Sequence, residues 1–418
     1  MTRIFALLSC AGFAAGILSA QTGVLVPEFD SVDRDIPALM ASAHVPGGAV
    51  AIVKDGRLVF ARAYGLADTS AGETFQPDSL CRVGSISKTI AATTILKLVE
   101  SGRLNLDQKA FADILTQLTP PPGARVDPRL KAITVRHLLH HTGGHGRDTG
   151  LDPMTVESSL AAAQLFHTSM PPGYDNVVRY VMSLPLDFDP GTKYSYSNYG
   201  FTVVARVVER VTGQPYEDTV RTQVLAPMGI RRMAMGQTLP EGRRPGEVRY
   251  YDVPHAPWAL SFLSGMRRML PMPYANFELE ASDGCGRWIA SAVDLARFVA
   301  RVEGSRSPAL FTAETLSMMF ERPDPFVSQD PSGDSWYGLG CGVFRFGSGV
   351  GWSHTGAYWG SLAGYESFGN GYIFTFVFNA TPDSSTFTNE VYRVLGTAVL
   401  NQKSWPPHDL FPFYYPED

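Results

Sequence analysis

Cysteine is scarce in this 418-residue chain, and its four copies, Cys10, Cys81, Cys285 and Cys341, lie far apart with no CxxC pair. That spacing excludes a disulfide framework. The last three are compatible with three buried thiols and equally with one bridge plus a free thiol. Neither sign of charge is in large excess: 35 Lys and Arg stand against 40 Asp and Glu. There is thus no basic stripe for nucleic acid and no polybasic segment for lipid. Internal repeats and low-complexity runs are missing too, and nothing in the composition suggests disorder. The partner left by these exclusions is a small or medium-sized molecule.

The uncharged apolar run that stands out is N-terminal. MTRIFALLSCAGFAAGILSAQ has one positive charge, an apolar stretch and a small-residue exit at Leu18, Ser19, Ala20, the pattern of an export signal cut before Gln21. A membrane anchor needs about twenty apolar residues and no such exit. Cys10 stands too early in the run for a lipoprotein site. The expectation is a secreted or periplasmic protein: signal peptide 1–20, one domain over 21–418, and no stable membrane insertion after cleavage. At 44% hydrophobic residues, the chain has ample material for a large core.

In GAVAIVKDGRLVFARAYG two apolar runs meet at Lys54, Asp55, Gly56, and Asp-Gly between such runs predicts a hairpin. Val50 and Ile52 on one face, with Ala49, Ala51 and Val53 on the other, place the first strand inside a sheet. A helix is expected at about 30–43. SISKTIAATTILKLVESGRLNL then carries Ile86, Ile90, Ile95, Leu98 and Val99 at helical spacing up to Gly102, a buried helix. Further helices are expected at 201–212, closed by Gly213, and at 292–303, opened by Ser291 with Asp294 three residues on. Strand patterns return only in GLGCGVFRFG, GWSHTGA, SLAGYES and YIFTFVFN, before a last helix near 388–400. The expected fold class is α+β: an antiparallel sheet from both chain ends, flanked by helices, with a mostly helical lobe of about 105–300 inserted. Ligands commonly bind in the crevice between such lobes. The tail SWPPHDLFPFYYPED is expected to strap the body.

Three short stretches carry chemistry. In Ser85-Ile86-Ser87-Lys88 the serine opens the buried helix, where free N–H groups and the helix dipole favour negative charge, and Lys88 lies one turn along the same face. A serine hydroxyl needs a neighbour to take its proton, and a partly desolvated lysine can do so or hold a second base in its charged form. Alone, the pattern is equally that of a solvated surface pair. In DPGTKYSYSNYGF, Tyr196 can act as general base beside Lys88, and Asn198 can donate to the carbonyl side of a bound acyl chain; the plainer account is a tyrosine packed at a helix entrance. In His354-Thr355-Gly356, inside a late strand, Gly356 permits close approach, and the N–H groups of Ala357 and Ser85 can form a two-donor oxyanion hole.

SxxK, then YxN about a hundred residues on, then [KH]TG on a C-terminal strand resembles the serine β-lactamase and D-alanyl-D-alanine peptidase superfamily. The closer likeness is to the branch of class C β-lactamases, DD-carboxypeptidases and family VIII esterases (peptidase family S12 type). VPGGAVAIVKDG, CRVGSISKT, LVESGRLNLD, ITVRHLLHHTGG, FDPGTKYSYSNYGF and SAVDLARFV are similar to that branch, so the likeness covers nearly all of residues 21–418. The resemblance implies a β-lactamase/transpeptidase-like fold and no cofactor or metal. It implies Ser85 as nucleophile, Lys88 and Tyr196 as base and proton relay, and Asn198 as a ligand of the acyl group. His354 becomes the electrostatic neighbour of Tyr196, and Thr355 binds a carboxylate or carbonyl. Two departures stand out. His354 replaces the lysine of class C β-lactamases, and Ala357 lacks a hydroxyl that peptidase-like relatives often have.

The expected activity is hydrolysis of carboxylic esters or D-amino-acid-type peptide or amide bonds through an acyl-enzyme. A β-lactamase and a non-catalytic penicillin-binding sensor or scaffold are the alternatives, although none of Ser85, Lys88 and Tyr196 is damaged. Family membership gives the chemistry and leaves the substrate open. His137, His140, His141 and His145 in RHLLHHTGGHG lack the glutamate of zinc hydrolases with that spacing, and are expected to position a loop beside the site. An intact GxSxG is missing, so an α/β-hydrolase elbow is unsupported. WALSFLSGMRRMLPMPY is broken by Arg267 and Arg268 and reads as an insertion packed on the body or a hydrophobic lip.

Overall fold

Asp55 and Gly56 both take left-handed backbone angles, φ 49° and 74°, the conformation that joins two strands in a tight, correctly twisted hairpin. The structure, a computed structural model, describes residues 20–147, 155–261, 263, 268–275, 277–324, 327–328, 330 and 332–416. Nearly all of the expected signal peptide lies outside them. The main sheet has nine strands. Its chief members are β1 (Gln21–Gly23), β2 (Gly47–Lys54), β3 (Arg57–Asp68), β4 (Ser335–Tyr337), β5 (Gly342–Phe346), β6 (Gly349–Tyr358), β7 (Ser361–Ser367) and β8 (Tyr372–Phe378). They run in the order β1-β3-β2-β8-β7-β6-β5-β4 with every pairing antiparallel. Ile52 of β2 faces Phe60 on one side and Phe374 on the other. The two chain ends are therefore joined at the strand whose apolar faces predicted an interior place.

Both faces of β2 are buried, for different reasons. Ala49, Ala51 and Val53 pack in one core with α2 (Ile86–Glu100) and α4 (Ala292–Val302), whereas Val50 and Ile52 pack in a second core with α1 (Asp30–Ser42) and α5 (Phe387–Leu400). Helix α3 (Asn198–Thr212) lies against α2, ends at Gly213 with φ 71°, and belongs to the first core. The capping box read at Ser291 is present: the Ser291 hydroxyl accepts from the Asp294 N–H at 3.0 Å, and the Asp294 carboxylate accepts from the Ser291 N–H at 3.2 Å. Such a cap contributes about 1 kcal/mol.

The stretch 105–300 is chiefly helix and loop, as expected, with a few short strands among the helices. It contains strands Ala234–Met235, Trp258–Leu260, Met269–Pro271 and Trp288–Ala290, and the last pairs with both Cys81–Arg82 and Ala234–Met235 in a small separate sheet. Its last helix, α4, lies on the main sheet, and the Thr375 hydroxyl of β8 donates to Ala292 O at 2.7 Å. Within the methionine-rich segment, Trp258–Leu260 pairs antiparallel with Met269–Pro271. Cys81, Cys285 and Cys341 are three buried free thiols, which decides between the two alternatives. The tail straps the start of β3: Leu410 N–H donates to Leu58 O at 2.8 Å, and Leu58 N–H donates to Asp409 Oδ1 at 3.0 Å. It includes a short helix, Phe411–Tyr414. No helix among the described residues is long and apolar enough to cross a membrane.

Candidate active site

Ser85 is the one partly exposed residue in an otherwise buried run from Cys81 to Leu96. It stands at the N-cap of α2, and its side chain makes no capping bond there. The hydroxyl instead accepts from Lys88 Nζ at 3.1 Å, and the same ammonium donates to Cys285 O at 2.8 Å. Lys88 is completely buried, so its charge is held by these two oxygens and by the aromatic faces nearby. Its Nζ lies 4.8 Å from the ring centre of Tyr196 and 5.8 Å from that of Phe201.

Tyr196 is set by the loop that leads into α3 and by the histidine-rich turn below it. Ser195 N–H donates to His141 O at 2.9 Å, and Ser197 N–H donates to His141 Nδ1 at 3.0 Å. The His141 imidazole then packs against the Tyr196 ring, with centres 4.2 Å apart. Burial, followed by the charge of Lys88, holds that imidazole well below its ordinary range, which keeps it neutral and able to accept. His137 closes a capping box with Thr134, and His140 bonds Tyr337 O at 3.0 Å. His145 packs edge-on against Tyr199, with ring centres 5.2 Å apart, so each of the four histidines has its own structural neighbour, as the loop-positioning reading expects. No group of three metal-ligating side chains converges among the described residues.

The third wall is β6. A Cβ on Gly356 would lie 1.9 Å from Val83 O and 2.9 Å from Ser85 N, and a Cβ on Gly84 would lie 2.8 Å from Ala357 N. These two glycines let the backbone at Gly356 and Ala357 lie directly against the backbone at Gly84 and Ser85. His354 turns elsewhere. Its Nδ1 lies 2.8 Å from Thr355 O and its Nε2 lies 2.9 Å from Tyr337 OH. The carbonyl requires a proton on Nδ1, so Tyr337 donates to Nε2. Burial, and then the charge of Lys88, push His354 down to about 3 from 6.5. Thr355 Oγ1 lies 2.8 Å from Tyr392 OH on α5.

A cavity of about 420 Å³ collects these walls. Of the residues marked in the sequence, Ser85, Tyr196, His354, Thr355 and Ala357 line it. Lys88 lies behind Ser85, and Gly356 is buried against Val83. Asn198, the first residue of α3, is 3% exposed and set back from the lining.

The β-lactamase family profile matches residues 32–398. The chain belongs to the β-lactamase family. Esterase EstB of Burkholderia gladioli is 31% identical over 308 residues, covering 69% of this chain and 73% of that protein. Penicillin-binding protein 4 of Amycolatopsis lactamdurans is 28% identical over 370 residues, covering 86% and 87%. Among solved structures, the D-amino acid amidase of Ochrobactrum anthropi SV3 superposes with a TM-score of 0.62 at 22% identity, over 94% of this chain and 99% of that one, a likeness of fold. This β-lactamase-family serine hydrolase adds to the expected site Arg147, Tyr194, Tyr337 and Ser353, all on the cavity wall and none read from the sequence. Tyr194 lies two residues before Tyr196 in the same aromatic loop, a signal that was there to use. Tyr337, at the end of β4, and Arg147, just after the histidine-rich turn, carry no such signal, since each reaches the cavity through tertiary packing.

Proposed function

We propose that the protein cleaves carboxylic esters and D-amino-acid-type amides by an acyl-enzyme on Ser85. The observation that supports this most directly is the Lys88 ammonium 3.1 Å from Ser85 Oγ at the wall of the cavity, beside the closely packed backbones of Ser85 and Ala357. The Ser85 proton passes to Tyr196, with Lys88 stabilising the charge, as Oγ bonds to the acyl carbon. The carbonyl oxygen gains the negative charge and accepts from the N–H groups of Ser85 and Ala357. Collapse breaks the bond to the leaving alkoxide or amide nitrogen, which takes the proton from Tyr196. Water then attacks the acyl carbon, giving its proton to Tyr196, and Ser85 leaves with that proton restored. Thr355 and Asn198 orient the substrate, and the residues of this chain supply every proton transfer.

Esters are the favoured substrates over β-lactams. The neutral His354, hydrogen-bonded to Tyr337, offers no charge to a β-lactam carboxylate, and Ala357 offers no hydroxyl. An aryl ester expels a phenolate that needs little protonation, whereas a β-lactam nitrogen must be protonated and its tethered fragment obstructs the deacylating water. The likeness to an esterase agrees with this order. Export with removal of residues 1–20 is part of the same proposal, and the mass of the mature N-terminus tests it.

The decisive experiment compares wild type and Ser85→Ala on nitrophenyl butyrate, a D-amino-acid amide and nitrocefin. Ser85→Ala is expected to lose at least about three powers of ten in turnover with the fold retained. Wild-type esterase activity in that variant overturns the assignment. Nitrocefin turnover equal to that of the butyrate would make this a working β-lactamase.

A further inference from the structure

Tyr196 stands within reach of two cations, and only one of them belongs to a sequence motif. Lys88 Nζ is 4.8 Å from the ring centre and Arg147 Cζ is 5.0 Å from it. Arg147 is tied to the same residue through its backbone, whose N–H donates to Tyr196 O at 2.8 Å. It also lines the cavity with Ser85. Among the described residues, the other titratable groups against this phenol are neutral: the His141 ring at 4.2 Å, Tyr337 at 6.2 Å and the adjoining Tyr194. His354 reaches it only through Tyr337 and carries no charge of its own. Among the described residues, no carboxylate lines the cavity. The position at which the third motif would supply a cation is therefore electrically silent, while a guanidinium lies against the Tyr196 ring on the cavity wall. Burial dominates at the neighbouring groups, depressing His141 and raising Tyr194, and the Arg147 charge adds to the first and works against the second.

We infer that Arg147 is the second cation of the active site and that it acts through Tyr196, stabilising the phenolate that accepts the Ser85 proton. It is a positioning and electrostatic residue, which need not touch the reacting atoms. A guanidinium has five N–H donors and cannot be deprotonated in the working range, so it supplies this charge at every pH and keeps doing so with partners elsewhere on its fork. The inference rests on Tyr196 being the proton acceptor.

The test is the pH dependence of kcat/KM on a neutral ester for wild type, Arg147→Gln and Arg147→Lys, with thermal melts of each. Arg147→Gln is expected to move the acidic limb upward by about one pH unit. The rate should then fall about tenfold on that limb and change little on the plateau. Arg147→Lys should restore most of the shift, because it keeps the charge and loses the planar fork. A limb that stays in place in Arg147→Gln, or one that moves as far in Arg147→Lys, overturns the inference. So does a uniform loss at all pH values, the mark of a purely structural residue. If Arg147→Gln fails to fold, Arg147→Met takes its place as the neutral variant: a limb displaced upward there and restored in Arg147→Lys supports the charge, and an unmoved one overturns it. Full activity with an unchanged limb in Tyr196→Phe would bring down the parent assignment instead.

Discussion

At position 356 a single methyl group is the difference between two backbones touching and not touching. The 1.9 Å approach of a Cβ to Val83 O leaves no room for alanine without moving β6 away from the start of α2. Gly356→Ala should therefore part the N–H groups of Ala357 and Ser85 and lower kcat by about a hundredfold or more, the usual cost of one lost oxyanion donor. KM for an ester should change far less. Steady-state kinetics with a circular dichroism control reads this, and an unimpaired kcat would show that the pair of amides does not serve catalysis. At this scale the sequence is informative where residues act at fixed spacing. Ser85 and Lys88 are one helical turn apart, and their 3.1 Å contact follows from that alone. Arg147 and Tyr337 answer to tertiary packing. Nothing local to Arg147 announces that its chain doubles back to bond Tyr196 O, and nothing local to Tyr337 announces His354.

Elements were legible in proportion to their length and periodicity. Helix α2 was read from its apolar spacing and ends at Glu100, close to the Gly102 stop. Helix α4 was read from its capping box, and the β2–β3 hairpin from Asp55-Gly56. The elements that escaped are those too short to have a period. Ser335–Tyr337 has three residues, and the small sheet is built from strands of two and three. Their backbone groups are satisfied by partners far along the chain, as when Cys81 pairs with Ala290, and no pattern of side chains within the segment needs to record it. The same limit applies to what a helix packs on. An amphipathic helix such as α4 shows that it covers something, but its sequence does not say whether it covers a sheet or other helices.

For the molecule as a whole, burial sets a pH window. It holds the imidazoles of His145 and His354 at about 4 and about 3, below the ordinary 6.5, and raises the carboxyls of Glu278 and Glu366 to about 7 from 4.5. The histidine contribution to stability is present above pH 6.5 and is lost as pH falls through those lower values, because the unfolded chain binds more protons. The glutamate contribution is present below 4.5 and is lost as pH rises through about 7. The two oppose between 4.5 and 6.5. Below 4.5 only losses remain, including that of Asp68, which burial alone would raise but which hydrogen bonds from Ser70 and Arg249 bring to about 2. Melting temperature from pH 3 to 9 should show a broad plateau near pH 5 to 7, a gentle decline above it and a steep fall below about 4.5. A Tm that keeps rising down to pH 4 contradicts this balance. The joining of β2 to β8 has a further consequence, in time. Ile52 cannot meet Phe374 until the chain has been made through β8, and closing so long a loop is slow. The proposed oxyanion amides come from the same two parts of the chain: Ser85 is made early, and Ala357, on β6, only shortly before β8. On the proposed assignment, a chain that stops short of β6 carries the nucleophile without the hole, and one that stops short of β8 lacks the strand that joins the two, so hydrolysis should begin only once the last strands are made.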